Sequence, residues 1–356
     1  MIARDGALAR PSPRRTQRTA QMNPYLVYLL QRLVQCAVVI FVGINITYLV
    51  SHLTPIDPVE QTVNATTAFG NTSPEAIEMM RVSLRQLYGM EGTPLEQYLA
   101  FWKRIAVWDF GPSLSAFPTP VSALILRALP WTIGLLLVAT VLTWIIGNLL
   151  GGFAGYYRKN RVLKLAGIIA MGVHPIPYYI VAFIVLIIFG FIWPILPISG
   201  GTTMASDRGD TLAFALDVLR HSILPALSLM AVGIGGWFIG MRALVSNIVT
   251  EDYVTYAELG GVSRRKILLS YVMRNALGPQ VTGLALQLGA IFNGAIITEQ
   301  VFGYPGIGLL LISAVHAGDY SLVLGITTVS IIGVSLAVLM IDLLYPLVDP
   351  RVESRS

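Results

Sequence analysis

The chain has 356 residues, 55% of them hydrophobic and 12% charged, with a formal net charge of +5 at pH 7 and a mean hydropathy of +0.69. No water-facing surface of ordinary area accommodates that mix, so a wholly soluble globular domain is excluded and lipid is the main solvent. A single cysteine, Cys36, excludes a disulfide framework and a cysteine-based zinc site; the basic residues sit in short stretches between apolar runs, which sets membrane orientation and argues against a nucleic-acid surface.

Residues 1–22 are basic, proline-containing and aperiodic, and predict a disordered cytoplasmic extension. The Arg14–Arg15 pair lacks the short apolar core and cleavage site of a secretory leader, and Met22 offers an alternative start. Six stretches then approach or exceed the roughly 20 apolar residues that cross a hydrocarbon core of about 30 Å. They lie near 25–52, 129–156, 163–192, 223–245, 277–297 and 322–345, which predicts an all-α polytopic membrane protein. A first membrane helix (23–53) is followed by an extracytoplasmic segment (54–127), a five-helix core (128–349) and a short cytoplasmic tail (350–356).

Lys and Arg orient these spans. Arg10, Arg14, Arg15 and Arg18, then Arg158, Lys159, Arg161 and Lys164, then Arg264, Arg265 and Lys266 mark three cytoplasmic stretches, whereas 299–321 has no Lys or Arg and suits the outside. Both termini therefore fall in the cytoplasm. In the outer segment, SPEAIEMMRVSLRQLYGM reads as an amphipathic helix with Ser73 as cap and Pro74 at its first position, lying over the outer mouth. The stretch 194–220 reads as a partly ordered loop.

Enzymatic chemistry finds no support. His52, His174, His221 and His316 form no HExxH pair, Ser199 in LPISGG lacks the glycine of a nucleophile elbow, and no GxxxxGK[ST] phosphate loop exists. No catalytic or metal-binding residue is assigned. Gly147, Gly151 and Gly155, and likewise Gly236 and Gly240, recur at four-residue spacing and predict close helix contacts, either between subunits or within the chain. Pro175, Pro177, Pro225 and Pro279 predict kinks, and with the intramembrane Asn45, Gln287 and Asn293 they mark either a wet pathway or ordinary packing. Trp131, Tyr178, Tyr179 and Trp237 read either as stacking platforms for sugar rings or as anchors and packing.

The most informative stretch is 251–280, EDYVTYAELGGVSRRKILLSYVMRNALGPQ, too polar to enter lipid. It predicts a cytoplasmic helix-turn-helix: a helix over 252–259, a break at Gly260–Gly261 and a second helix capped by Ser263 and beginning at Arg264. Tyr253, Val254, Tyr256, Ala257, Glu258, Gly260, Gly261, Ser263, Arg264, Arg265, Arg274 and Asn275 resemble the cytoplasmic EAA loop of ABC-importer permeases in its dipeptide and oligopeptide version. GAIITEQVFGYPGIGLLLISAVHAGDY, with Glu299, Phe302, Gly303, Tyr304, Pro305, Gly306, Gly308, Asp319 and Tyr320, resembles the same family's signature near the outer mouth. VSHLTPIDPVE, LPISGG and HSILPAL agree in order, so the resemblance runs from Asn23 to Asp349. Departures are small: Thr255 and Tyr256 precede Ala257, Arg274 stands where the broader superfamily has proline, and Ile56 replaces a usual glycine before Asp57.

The resemblance implies a type I importer fold in a bacterial or archaeal cytoplasmic membrane. One permease chain pairs with a second, usually different one; two ABC ATPase subunits bind and hydrolyse ATP with Mg; and an extracytoplasmic solute-binding protein delivers peptides or similar small oligomers. Oligosaccharides, a metal complex, or an ion-driven secondary transporter are the alternatives. The chain itself holds no cofactor in this reading, and the loop at 248–276 docks on an ATPase, where a side chain at 261 would obstruct a tight turn.

Overall fold

A computed structural model describes residues 24–53, 59–60, 63–64, 73–87, 92–203, 211–293 and 295–348. The expected extension 1–22, the turn at Ile56–Asp57, the tail 350–356 and the side chain of Asn293 lie outside the described residues. The helices are α1 (Pro24–Leu53), α2 (Pro74–Leu87), α3 (Pro94–Ala106), α4 (Val121–Tyr156), α5 (Arg161–Val173), α6 (Tyr178–Leu186), α7 (Thr211–Ile248), α8 (Asp252–Leu259), α9 (Arg264–Lys266), α10 (Arg274–Gly289), α11 (Ile296–Val301), α12 (Ile307–His316) and α13 (Tyr320–Val348). π-Helical stretches at Ile187–Ile192 and Ile267–Met273 continue α6 and join α9 to α10, and a 3-10 turn at Ala290–Asn293 follows α10. Among the described residues there is no strand, only an isolated bridge between Pro112 and Pro120.

Among the described residues four helices, α1, α4, α7 and α13, are long and apolar enough to cross a bilayer, and α5 with α6 makes a fifth span if a pair bent by 107° counts as one. Of the six expected stretches, those at 163–192 and 277–297 are interrupted. His174-Pro175-Ile176-Pro177 removes two backbone donors in four residues, so the span at 163–192 breaks there. The span at 277–297 stops being α-helical at Gly289; its apolar part rises roughly 20 Å, short of the hydrocarbon core. The loop expected at 194–220 is corrected over its second part: residues 211–220 are the first three turns of α7, built from the helix formers Leu212, Ala213, Ala215 and Leu216.

The glycine ridge packs inside the chain. A Cβ on Gly147 would stand 2.5 Å from Cβ of Trp237, and one on Gly151 2.5 Å from the Phe238 carbonyl oxygen. On Gly155 it would stand 2.8 Å from Val245, so α4 and α7 touch backbone to backbone. Gly236 faces His174 and Gly240 faces Gln280 in the same way, so the intersubunit alternative is set aside for these residues. Trp237 packs against Gly147 and Gly283, and Trp131 meets Tyr304 edge to face at 5.6 Å, so both rings serve packing. α1 lies against α13, where Arg32 pairs with Asp342 at 3.3 Å and the Tyr28 hydroxyl donates to the Asp342 carbonyl at 2.9 Å.

In the segment after α1 the Ser73 hydroxyl accepts from the Ala76 amide at 3.3 Å, with Pro74 opening α2 as the sequence predicts. Arg81 clamps Glu60 through two nitrogens and holds its carboxyl below the usual range. The next helix, α3, opens with a complete capping box between Thr93 and Glu96. It runs alongside α1, with Trp102 stacked on Phe41 and Phe101 tilted against Tyr48, centroids 5.4 Å and 4.8 Å apart. Asn45 is thereby explained: its side chain accepts from the Tyr98 hydroxyl at 2.7 Å and donates to the Phe41 carbonyl.

Candidate functional site

The loop at 248–276 folds as two helices around one left-handed residue. Gly261 has φ +70; the Val262 amide donates to the Ala257 carbonyl at 3.1 Å and the Gly261 amide to the Glu258 carbonyl at 3.0 Å. This is a Schellman cap with Gly261 as the left-handed residue, and the Val262–Ala257 pair supplies its apolar contact. A Cβ on Gly261 would meet nothing within 4 Å, so the expected steric obstruction is absent and the glycine is required by its backbone angle alone. Ser263 stands at the start of α9, yet its side chain caps nothing; only its carbonyl accepts, from Ile267 at 3.0 Å.

One face of α8 is fixed. Val254 is fully buried against Met241, Val245, Ile267, Leu268 and Val272, with Ala257 half-buried beside them. Burying a valine contributes about 1.5–3 kcal/mol, enough to hold a two-turn helix that would not persist alone. The Asn275 amide donates to the Tyr253 hydroxyl at 2.9 Å and to the Tyr271 carbonyl at 2.8 Å, tying the loop's beginning to its end. The other face is open: Tyr253, Tyr256 and Leu259, at spacings of three, are 40%, 73% and 79% exposed. Glu258, Gly260, Arg264, Arg265 and Arg274 are exposed around them.

The π-helical stretch was not legible from spacing. Its buried residues are Ile267, Leu268, Val272 and Met273, two pairs five apart. An α-helix would rotate the second pair well away from the first, whereas a π turn brings i and i+5 onto one face.

At the opposite end, the signature residues assemble around two buried carboxylates. Glu299, on α11, is 0% exposed. Its Oε2 accepts from the Gly308 amide at 2.6 Å and the Leu309 amide at 3.1 Å, and its Oε1 from the Thr132 hydroxyl at 2.8 Å. Thr132 in turn accepts from the Ile307 amide at 2.8 Å. Glu299 thus caps α12, satisfying orphan amides and facing the positive end of its dipole. Gly306 and Gly308 make the room: a Cβ on Gly306 would stand 2.3 Å from the Glu299 carboxyl carbon, and one on Gly308 2.6 Å from the Ile296 backbone.

Asp319, equally buried, caps α13 through the Leu322 amide at 3.0 Å. Its other oxygen accepts from the Ser113 hydroxyl at 2.5 Å and from the Ser115 amide and hydroxyl at 2.9 Å. Tyr320 begins the helix so capped. Phe302 and Tyr304 are buried with Leu135, Ala182 and Leu224; the Tyr304 hydroxyl donates to Ser222 at 2.9 Å, because Ser222 spends its own proton on the Val218 carbonyl. Gly303 takes φ +54, the Phe302 carbonyl accepts from Gly200 at 2.9 Å, and Pro305 packs on Gly201, so LPISGG and the signature form one unit.

Thr132, Ser113, Ser115 and Ser222 belong to this site and carry no sequence signal of their own; each lies over 80 residues from its partner. Three acids of the membrane-crossing region are engaged: Glu299 and Asp319 as caps, Asp342 with Arg32. Among the described residues no group of three or more His, Cys, Asp or Glu is arranged to hold a metal ion.

Residues 147–354 match the family described as "Binding-protein-dependent transport system inner membrane component". The chain is 26% identical over 330 residues to an oligopeptide transport system permease protein of Bacillus subtilis, covering 92% of this chain and 99% of the relative. It is 26% identical over 348 residues to a dipeptide transport system permease protein of Escherichia coli, covering 93% and 100%. A protein of Brucella ovis named as a peptide permease is 30% identical over 314 residues, covering 86% and 92%.

Proposed function

This chain belongs to the family of binding-protein-dependent transport system inner membrane components, and on that premise we propose that it forms half of the import pathway for peptides in an ATP-driven transporter. The observation that carries the reading is α8: one face bonded into the membrane core, the other presenting Tyr253, Tyr256 and Leu259 with no cover. An apolar face held outward by a rigid scaffold is a docking surface, and an ABC ATPase is the partner that the family's mechanism requires. A second permease chain completes the pathway, two ATPase subunits bind ATP and Mg, and an extracytoplasmic solute-binding protein delivers substrate. The names of the relatives favour peptides over oligosaccharides or metal complexes. Both termini face the cytoplasm in a bacterial or archaeal membrane, as the Lys and Arg distribution indicates.

The test is a double exchange, Tyr256→Asp with Leu259→Asp, in the complex purified from membranes. The ATPase subunits should fail to co-purify while the chain remains at near-normal abundance, because neither side chain supports the core. The unaltered complex in nanodiscs should hydrolyse ATP faster with peptide-loaded than with empty binding protein. Undiminished co-purification of the double variant would sink the docking assignment; stimulation by oligosaccharide and not by peptide would overturn the substrate.

A further inference from the structure

We propose that α3 is embedded in the bilayer leaflet opposite α8, and that lipid is the partner of its free apolar flank. The depth follows from α1. Its membrane-crossing stretch is Val27–Val50, and at 1.5 Å per residue the positions 41, 45 and 48 lie roughly 4, 10 and 14 Å beyond its midpoint, within the 15 Å half-thickness of a hydrocarbon core. These are the positions that hold α3: Phe41 stacks on Trp102, Asn45 accepts from Tyr98, and Tyr48 packs on Phe101. A helix fastened side by side to the far half of a span is at membrane depth and not in the water above it.

The sequence of α3 suits that position. Residues Tyr98, Phe101, Trp102 and Ile105 form one half of an apolar arc, and they face α1 and the cluster of Phe110, Val121 and Leu322. The other half, Leu95 and Leu99, adjoins them at helical spacing and is 66% and 52% exposed. It continues the uncovered face of α1, where Val38, Val42, Ile46 and Leu49 are exposed at the same depth. That continuity with the exposed apolar face of a membrane-crossing helix favours lipid as the occupant. Polarity agrees: Thr93 and Glu96, with their capping box, occupy the end that pairs nearest the outer end of α1.

The leaflet is fixed by packing. Gly43 meets Ile331, and Gly325 meets Val121, at the start of α4, whereas α8 sits at the other end of α4 beside Phe153 and Tyr156. The inference depends on neither the substrate nor the ATPase assignment.

The experiment uses the full chain in the complex with which it is isolated, in nanodiscs, with Cys36→Ala removing the native thiol and bimane placed at Leu99→Cys. Lipids with a nitroxide at acyl carbon 5 and aqueous iodide are the two quenchers, Leu95→Cys repeats the measurement, and Glu96→Cys serves as the water-facing comparison. Nitroxide should remove roughly half the intensity at Leu99→Cys and Leu95→Cys, with iodide removing little, and the order should reverse at Glu96→Cys. Dominant iodide quenching at both leucine positions would place the flank in water and overturn the proposal. Protection from both quenchers would mean that a second permease chain or a binding protein covers it, which overturns the proposal equally.

Discussion

Glu299→Gln isolates the charge at the cap of α12 without changing its shape. The carboxylate accepts three hydrogen bonds in a site sealed from solvent. An amide retains one oxygen. If that oxygen faces Gly308 and Leu309, both bonds survive at neutral strength, a loss of about 1 kcal/mol each. The new NH2 then faces Thr132, which must accept where it formerly donated, leaving its hydroxyl proton unpaired at about 1–3 kcal/mol. The lost interaction with the helix dipole adds about 0.3–1 kcal/mol, and relief from burying a charge offsets part of the sum. The net expectation is a destabilisation of about 2–4 kcal/mol, larger for Glu299→Leu, which strands every donor. The assay is the thermal midpoint of the monodisperse fraction in detergent, followed by size exclusion for the unaltered chain, Glu299→Gln, Glu299→Leu, Thr132→Val and Glu299→Gln with Thr132→Val. Midpoints should fall in the order unaltered, Gln, Leu, and the double exchange should cost less than the sum of its parts because the two side chains share a bond. A Glu299→Leu midpoint at or above that of the unaltered chain would refute the reasoning, since a capping carboxylate cannot be replaced by hydrocarbon at no cost.

Two further exchanges test single positions. At Gly261, Asn tolerates the left-handed angle and Leu does not, a difference of about 1–2 kcal/mol; because no atom lies near the missing Cβ, both variants should insert at normal abundance. Gly261→Leu should lose ATPase co-purification and Gly261→Asn should keep most of it; equal, full retention in both would mean that nothing docks over this turn. At Gly151, Ala would press on the Phe238 backbone at 2.5 Å, so Gly151→Ala should lower membrane abundance and the thermal midpoint through about 1–3 kcal/mol of overpacking, whereas Gly134→Ala, with open space around it, should be neutral or better.

What the residues announce is local. Apolar runs give α1, α4, α7 and α13, Pro74 and Ser73 give the start of α2, and Gly260–Gly261 give the turn between α8 and α9, because each depends on neighbours a few positions away. The bend between α5 and α6 is half legible: Pro175 and Pro177 predict a kink, but not a turn of the chain through 107°. The length of α7 was hidden because hydropathy ends where lipid ends, while backbone hydrogen bonding continues into water. Glu299 and Asp319 could be singled out by the motif around them, yet their partners Thr132, Ser113 and Ser115 are ordinary residues made important only by the fold. The same holds for α3, whose aromatic side marks an amphipathic helix while leaving open whether it covers a mouth or a span.

The left-handed glycine turn of the loop recurs twice at the far end of the molecule. Gly303 and Gly318 have φ +54 and +65, and behind each the next amide reaches the third-last carbonyl of the preceding helix, Tyr304 to Glu299 at 2.8 Å and Asp319 to Ala314 at 2.9 Å. Short helices stopped this abruptly cannot fray into their neighbours, so they behave as stiff units joined at defined angles. Between the two ends runs α7. One end of it carries Met241 and Val245, on which α8 is seated, and the other carries Ser222 and Leu224, on which the Tyr304 turn is seated. α4 lies against it through glycines that leave no slack. A tilt imposed at α8 therefore reaches the Tyr304 turn through one helix of 38 residues, and Pro225, beside Ser222 and Leu224, is where that helix can yield. Of the contacts in this path, those at the ends are hydrogen bonds and small apolar seats, which can be exchanged between two discrete arrangements; the glycine contact in the middle cannot be exchanged without separating the backbones. Movement should accordingly be of α4 and α7 together, with the change of partners confined to the two ends.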